Sequence, residues 1–255
     1  MAGAKPRGLF VTGTDTGVGK TAVACALAAW GRAQGLRVGV MKPVGTGGRW
    51  VRTAGRWVSH DALALAAAAG TNDPWSVISP ICFQEPLAPA TAARRAGAVI
   101  RLAPILRAFR AMHRRHDVVI VEGVGGLLVP LTPRATVATL ARRIRLPLLV
   151  VSRPGLGTLN HTLLSLRLAA AERLRVAGVV FNEAARPDRS RFARISGSTN
   201  PGVVARAGGV TVAGVLPYRG RLLAGPWGRA WRTSLVRWVE QSVDHNWLRA
   251  WLLRR

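Results

Sequence analysis

The sequence predicts a single-domain α/β fold, built on a mostly parallel sheet with helices on both faces. Three observations predict it. Short β-branched runs alternate with longer helical stretches along the chain, which is the pattern of βαβ units. The runs DVVIV and LPLLVVS are apolar but for one end residue each, as in strands covered on both faces. A glycine-rich turn, GTDTGVGKT, stands between the first strand-like run and the first helix-like one.

The elements follow in order. A strand over 8–13 leads through the glycine-rich turn into an Ala-rich helix over about 20–34. A second strand is expected over 37–44, then a Gly/Trp/Arg loop over 45–60. DALALAAAA, residues 61–69, is a strong helix former. Residues 72–89 carry four prolines and no clear period, so a packed irregular segment is expected there. A helix over 99–113 precedes a strand over 117–121. A helix over 136–144 leads to a strand over 146–152, and a helix over 159–174 to a strand over 176–182. The last strand is expected over 210–216. No internal repeat or low-complexity linker interrupts residues 1–225. Residues 226–255 form a basic extension, expected to be a Trp/Arg-rich helix packed on the rest.

The 255 residues are 49% hydrophobic and 19% charged, enough apolar material for a sizeable core. Thirty-seven basic residues face 11 acidic ones, for a formal net charge of +26. That value invites a nucleic-acid or anionic-surface reading and favours non-specific polyanion binding. The basic residues are scattered, however, and nearly all are Arg. Lysine occurs only at Lys5, Lys20 and Lys42. Cys25 and Cys82 show no CxxC spacing and are expected to be buried free thiols. The apolar run Leu9-Phe10-Val11 is too short for a secretion signal, and no stretch reaches membrane-spanning length, so a cytoplasmic protein is expected.

GTDTGVGKT carries the chemistry. A phosphate chain needs a tight turn whose backbone N–H groups point inward, opening onto a helix N-terminus. Lys20 is placed to reach the β- and γ-phosphates, and the Thr21 hydroxyl to meet Mg²⁺. The strict pattern places glycine at position 14; here it is Thr14, with Gly13 one residue earlier, a stretched variant. The fold expected is therefore of the P-loop NTPase type. The run DVVIVEGVGG leaves Glu122 at the carboxyl end of a buried strand, on the sheet edge where parallel α/β folds bind ligands. A carboxylate there helps hold Mg²⁺, directly or through water. Gly123, Gly125 and Gly126 offer N–H groups for a γ-phosphate or an anionic intermediate. Lys42 ends the second strand at the same edge. Two of three lysines in an Arg-writing chain thus sit where a compact point charge meets phosphate.

These residues resemble a known family. GTDTGVGKT, followed in order by MKPVGTG, HDALAL, VEGVGGLLVPL and PGLGTLNHTLL, is similar to dethiobiotin synthase from about Leu9 to Tyr218. The resemblance implies an ATP-dependent cyclo-ligase that joins CO₂ to 7,8-diaminononanoate through a carbamate and a carbamic–phosphoric anhydride. It implies that Lys20 and Lys42 stabilise the charge developing in phosphoryl transfer. Thr21, Asp61 and Glu122 would hold Mg²⁺, and Thr16 and Thr46 would contact the substrate. ATP would lie on Gly17, Val18, Gly19, Lys20, Thr21 and Ala22, with Gly123, Val124 and Gly125 opposite. Asn182, Glu183, Pro217, Tyr218 and Arg219 would surround the base. Gly157, Thr158, Leu159 and Asn160 would bind the substrate carboxylate of a partner subunit, so a homodimer is implied. Gly17 and Ala90 depart from the family pattern, which often has a carboxylate and a histidine there.

Two features leave other readings open. The charge suits a partitioning-type P-loop ATPase that binds nucleic acid non-specifically. Such proteins resemble one another in a lysine near the start of the P-loop, and Thr12-Gly13-Thr14-Asp15 has none. In the tail, Trp227/Trp231 and Trp247/Trp251 are i,i+4 pairs among arginines. A helix packed on the core or on a dimer partner is one reading. A membrane-surface or nucleic-acid contact is the other.

Overall fold

Six parallel strands form the central sheet: β1 (Gly8–Gly13), β2 (Val38–Met41), β3 (Val118–Glu122), β4 (Leu148–Ser152), β5 (Val176–Asn182) and β6 (Val212–Leu216). Their order is β6-β5-β4-β1-β3-β2. The computed structural model describes residues 7–186, 188, 190–220 and 222–253; Lys5, Arg254 and Arg255 lie outside them.

Strand alternation divides the core. Leu9, Val11, Val118, Ile120, Leu149 and Val151 face the side covered by α1 (Lys20–Ala33). Phe10, Val119, Val121 and Leu148 face the other side, under α3 (Leu102–Arg115) and α4 (Val137–Ile144). Val150, Val179 and Phe181 continue that side beneath α5 (Thr158–Ala171) and α6 (Arg191–Gly208). Between β2 and β3 runs α2 (His60–Ala69), capped by Ser59, whose hydroxyl accepts from the Ala62 N–H at 3.3 Å.

Several elements differ from the expectation. The second strand stops at Met41, because Pro43 has no N–H to continue a ladder. The Lys42 N–H turns instead to the Ile78 carbonyl, and Val44–Gly45 pairs with Ile81–Cys82. The expected loop over 45–60 holds a hairpin, Arg49–Val51 with Arg56–Val58, in which Trp50 lies opposite Trp57 at 5.6 Å. A short helix, Pro89–Arg95, starts on a proline, a residue suited to that position. Helix α6 is unexpected, since Gly197, Pro201 and Gly202 inside it break the sequence signal. Cys25 is buried, whereas Cys82 is half-buried.

The tail is two helices, α7 (Arg229–Glu240) and α8 (His245–Leu248), followed by a π-helical turn over Arg249–Leu253. Leu235, Trp238, Val239, Trp247 and Leu248 join the α1 side of the core. The Trp247 indole donates to the Ala177 carbonyl at 2.8 Å. Gly214 permits the close approach: a Cβ there would lie 2.0 Å from the Ser242 carbonyl oxygen.

Edge strand β2 is pinned at its start. Asp117 accepts from the Arg37 backbone N–H at 2.8 Å and from its guanidinium at 2.7 Å. Those bonds from the Arg37 side chain and backbone hold the Asp117 carboxyl down at about 2. A depressed carboxyl stabilises the fold above its unfolded value, near 4, and loses that contribution as the pH falls toward 2. Asp117→Asn is therefore expected to unfold at lower urea than the parent at pH 6. The gap in midpoints should close between about pH 4 and pH 2.

Candidate active site

The carboxyl ends of β1, β2, β3, β5 and β6 open onto one cleft of about 850 Å³. Strand order places it there: the chain leaves β1 toward β2 and β3 on one side and toward β4 on the other, opening a crevice above β1.

The loop after β1 is built for close approach. Gly17 and Gly19 take φ values of +78° and +89°, open to glycine at little cost. Gly13 compensates for the shifted glycine of the motif, since a Cβ there would crowd Val18 and Lys20 at about 3 Å. The Asn182 amide, arriving from the end of β5, donates to the Val18 carbonyl at 2.9 Å. A Cβ on Gly19 would lie 2.0 Å from that amide nitrogen. Nothing stands within 4 Å of the Gly17 Cβ position, so the departure from the family there reflects its backbone conformation rather than space.

Lys42 is the centre of the site. It is buried, and its ammonium lies 2.6 Å from Glu122 Oε1, 2.7 Å from Asp61 Oδ2 and 3.2 Å from the Gly123 carbonyl. Thr21 Oγ1 donates to the same Glu122 oxygen at 2.8 Å. Burial alone would lower the Lys42 pKa, but the two carboxylates outweigh it and hold it above the ordinary lysine value. Burial pushes Glu122 up against the pull of Lys42. Asp61, also burdened by burial, is held below its ordinary value by Lys42. Glu122 Oε2 is buried with no partner among the described residues. Lys20 folds back onto the Asp15 carbonyl at 2.8 Å. Burial, with Lys42 nearby, lowers its pKa to about 8.

Most of the expected residues line this cleft: Thr16, Gly17, Gly19, Lys20, Thr21, Ala22, Lys42, Thr46, Asp61, Glu122, Val124, Gly125, Asn182, Glu183, Tyr218 and Arg219. Val18, Gly123 and Pro217 do not. The Val18 side chain is buried, Gly123 gives its carbonyl to Lys42, and the Pro217 carbonyl accepts from the Trp238 indole at 3.0 Å. Glu183 accepts from the Tyr218 N–H at 3.2 Å, tying the β5 and β6 loops together. Gly157, Thr158, Leu159 and Asn160 also lie outside the cleft; the Thr158 hydroxyl is engaged with Ser152 at 2.8 Å.

Several lining residues were not anticipated: His60, Pro86–Pro89, Leu222–Ala224 and Trp238. Only the paired prolines, in a segment without a period, carried a signal. Gly19→Ala is expected to weaken ATP binding about tenfold or more, roughly 1.4 kcal/mol by calorimetric titration. The new Cβ must displace Asn182 and strain a left-handed backbone. Unchanged affinity would contradict this loop geometry.

Comparison with known proteins bears on the same residues. A family model described as an AAA domain matches residues 7–224. The ATP-dependent dethiobiotin synthetase BioD of Anaeromyxobacter dehalogenans (strain 2CP-C) is 52% identical over 176 residues, 69% of this chain and 76% of that protein. The protein of the same name from Bacillus cereus (strain B4264) is 39% identical over 83% of each chain. That of Thermodesulfovibrio yellowstonii is 38% identical, over 83% of this chain and 88% of its own. Among solved structures, a ParA family ATPase from Chlorobium tepidum TLS aligns with a TM-score of 0.53 at 15% identity, covering 98% and 99% of the two chains. The MinD cell division protein of Aquifex aeolicus gives 0.52 at 12%, covering 93% and 99%. These two likenesses are of fold, whereas the sequence relatives extend over most of the chain. The chain belongs to the ATP-dependent dethiobiotin synthetase family.

Proposed function

We propose that this chain carboxylates 7,8-diaminononanoate with CO₂ and closes the ring to dethiobiotin, converting ATP to ADP and phosphate. The observation that carries this reading is the meeting of Lys20, Lys42, Asp61 and Glu122 at the phosphate end of one cleft, in a chain of this family.

The chemistry assigns each group a task. One substrate amine adds CO₂ to give a carbamate, whose oxygen attacks the γ-phosphate and releases ADP. The second amine then attacks the carbamoyl carbon, phosphate leaves, and the cyclic urea forms. Phosphoryl transfer asks mainly for positioning and charge stabilisation. Lys20 and Lys42 supply two fixed positive charges, and the backbone of Gly17, Val18, Gly19 and Ala22 surrounds the phosphates. Gly123, Val124 and Gly125 bound the opposite wall. Thr16 and Thr46 stand by the reacting amines. Asn182 has its amide nitrogen committed to Val18, which leaves its oxygen to receive the amino group of adenine. Glu183, Pro217, Tyr218 and Arg219 complete the base pocket.

The residues present suit Mg²⁺. Thr21, Asp61 and Glu122 form an all-oxygen set, and the unpartnered Glu122 Oε2 is a ligand atom in waiting. Bound there, Mg²⁺ would neutralise phosphate charge.

The substrate carboxylate falls to Gly157, Thr158, Leu159 and Asn160 of a second copy, in a homodimer. Support comes from the start of α5, which lies off the cleft beside Leu156, 93% exposed, with Leu164 60% exposed further along the helix. A biosynthetic enzyme drawing on ATP belongs in the cytoplasm; among the described residues no helix is long and apolar enough to cross a membrane.

The test is product formation. Purified protein given diaminononanoate, bicarbonate and Mg-ATP should yield dethiobiotin and ADP in equal amounts by mass spectrometry. ATP bound without product would overturn the reading. Lys42→Met should lower kcat by about 10²–10³ or more, the scale for removing one preorganised electrostatic group. Near-parental turnover in that variant would remove Lys42 from the chemistry.

A further inference from the structure

The tail separates its aromatic and basic residues. Trp238 and Trp247 are buried, and the indoles of Trp227 and Trp231 donate to the Leu223 and Leu222 carbonyls. The arginines turn outward. Arg229, Thr233, Arg237 and Gln241 recur every four residues along α7 and its end, and line one open groove with Ser234 and Arg219. No carboxylate lines that groove, and none of its three guanidiniums has a side-chain or carbonyl partner among the described residues. A second arginine grouping near the tail, Arg32, Arg49 and Arg232, is partly engaged. Arg32 and Arg232 there are engaged with the carbonyls of Ala69, Gly70 and Ala67 at the end of α2.

We propose that the groove lined by Arg229 and Arg237, next to the Arg219 assigned to the base pocket, binds the sugar–phosphate backbone of a nucleic-acid strand, without reading its bases. Arg229 and Arg237 stand two turns apart, about 12 Å along the helix. A compact anion meets one of them at a time, whereas a chain of phosphates meets both. Thr233, Ser234 and Gln241 add neutral donors between them. The tail's tryptophans offer no stacking platform there: Trp238 and Trp247 are buried, Trp227 and Trp231 bond loop carbonyls, and Trp251 carries the Arg175 guanidinium at 4.8 Å. The same fact disfavours a membrane surface, since no large apolar side chain flanks these arginines in the groove. Binding through phosphates alone is independent of sequence and steeply salt-dependent.

The test is fluorescence anisotropy of the full chain with a labelled single-stranded oligonucleotide, titrated at several salt concentrations. Arg229→Gln/Arg237→Gln is compared with Arg107→Gln/Arg115→Gln on α3, an exposed pair also eight residues apart, on the opposite side of the sheet. The α7 pair should reduce the slope of log K against log salt by about 1.4, or about 0.7 for each phosphate no longer neutralised. The α3 pair should leave the slope near the parent's. Equal reductions in both pairs would show diffuse attraction by the whole +26 surface and overturn the proposal. So would the absence of binding at about 50 mM salt. Dethiobiotin formation by the α7 variant, followed in parallel, reports whether the catalytic cleft is intact.

Discussion

A buried ammonium held between two carboxylates is the interaction on which the site depends. Lys42 comes from the end of β2, Asp61 from the first turn of α2 and Glu122 from the end of β3, so one charge fixes three elements. Taking such ions from water costs several kcal/mol apiece, which only close, complete pairing offsets. The arrangement is therefore stringent. It needs β2 to end at Met41, ahead of Pro43, Ser59 to start α2 on time, and Thr21 to supply a further donor to Glu122. Glu122 Oε2 is buried with no partner among the described residues.

Around that charge the backbone is shaped for phosphate. Gly17 and Gly19 carry the loop through left-handed conformations, and Asn182 locks it from the far side of β1. The tail supports the cleft wall beside Pro217 and Leu222. Trp238 lies in the core and holds the Pro217 carbonyl, and Trp231 holds that of Leu222. Segments far apart in sequence thus set the walls of one cleft, with the sheet edge as common support.

Much of this was legible in the sequence. The strands β1, β3, β4 and β5 are apolar on both faces, and such runs have few other uses. The motifs after β1, β2 and β3 pointed to Lys20, Thr21, Lys42 and Glu122, which the fold brings to one cleft; lysine is so rare here that its placement is informative. What stayed hidden was tertiary. Helix α6 carries glycine and proline inside it and is held by packing against α5 and β6 rather than by propensity. Trp238 gives no sign in sequence that it reaches Pro217, 21 residues away. For the tail the sequence left open a helix packed on the core or a surface contact, and Trp238 and Trp247 lie buried in the core. Gly157–Asn160 lie outside the cleft, and the Thr158 hydroxyl turns to Ser152, a contact the sequence does not announce.

The central claim is that Lys42 and Glu122 hold each other in place, and a double-mutant cycle in denaturant unfolding tests it most directly. Lys42→Met alone leaves Glu122 buried without its counter-ion and should cost about 3–5 kcal/mol. Adding Glu122→Gln removes the stranded charge, so the double variant should be more stable than the sum of the single changes by roughly 1–3 kcal/mol. Additivity within about 0.5 kcal/mol would show that the two groups do not depend on one another and would contradict the account.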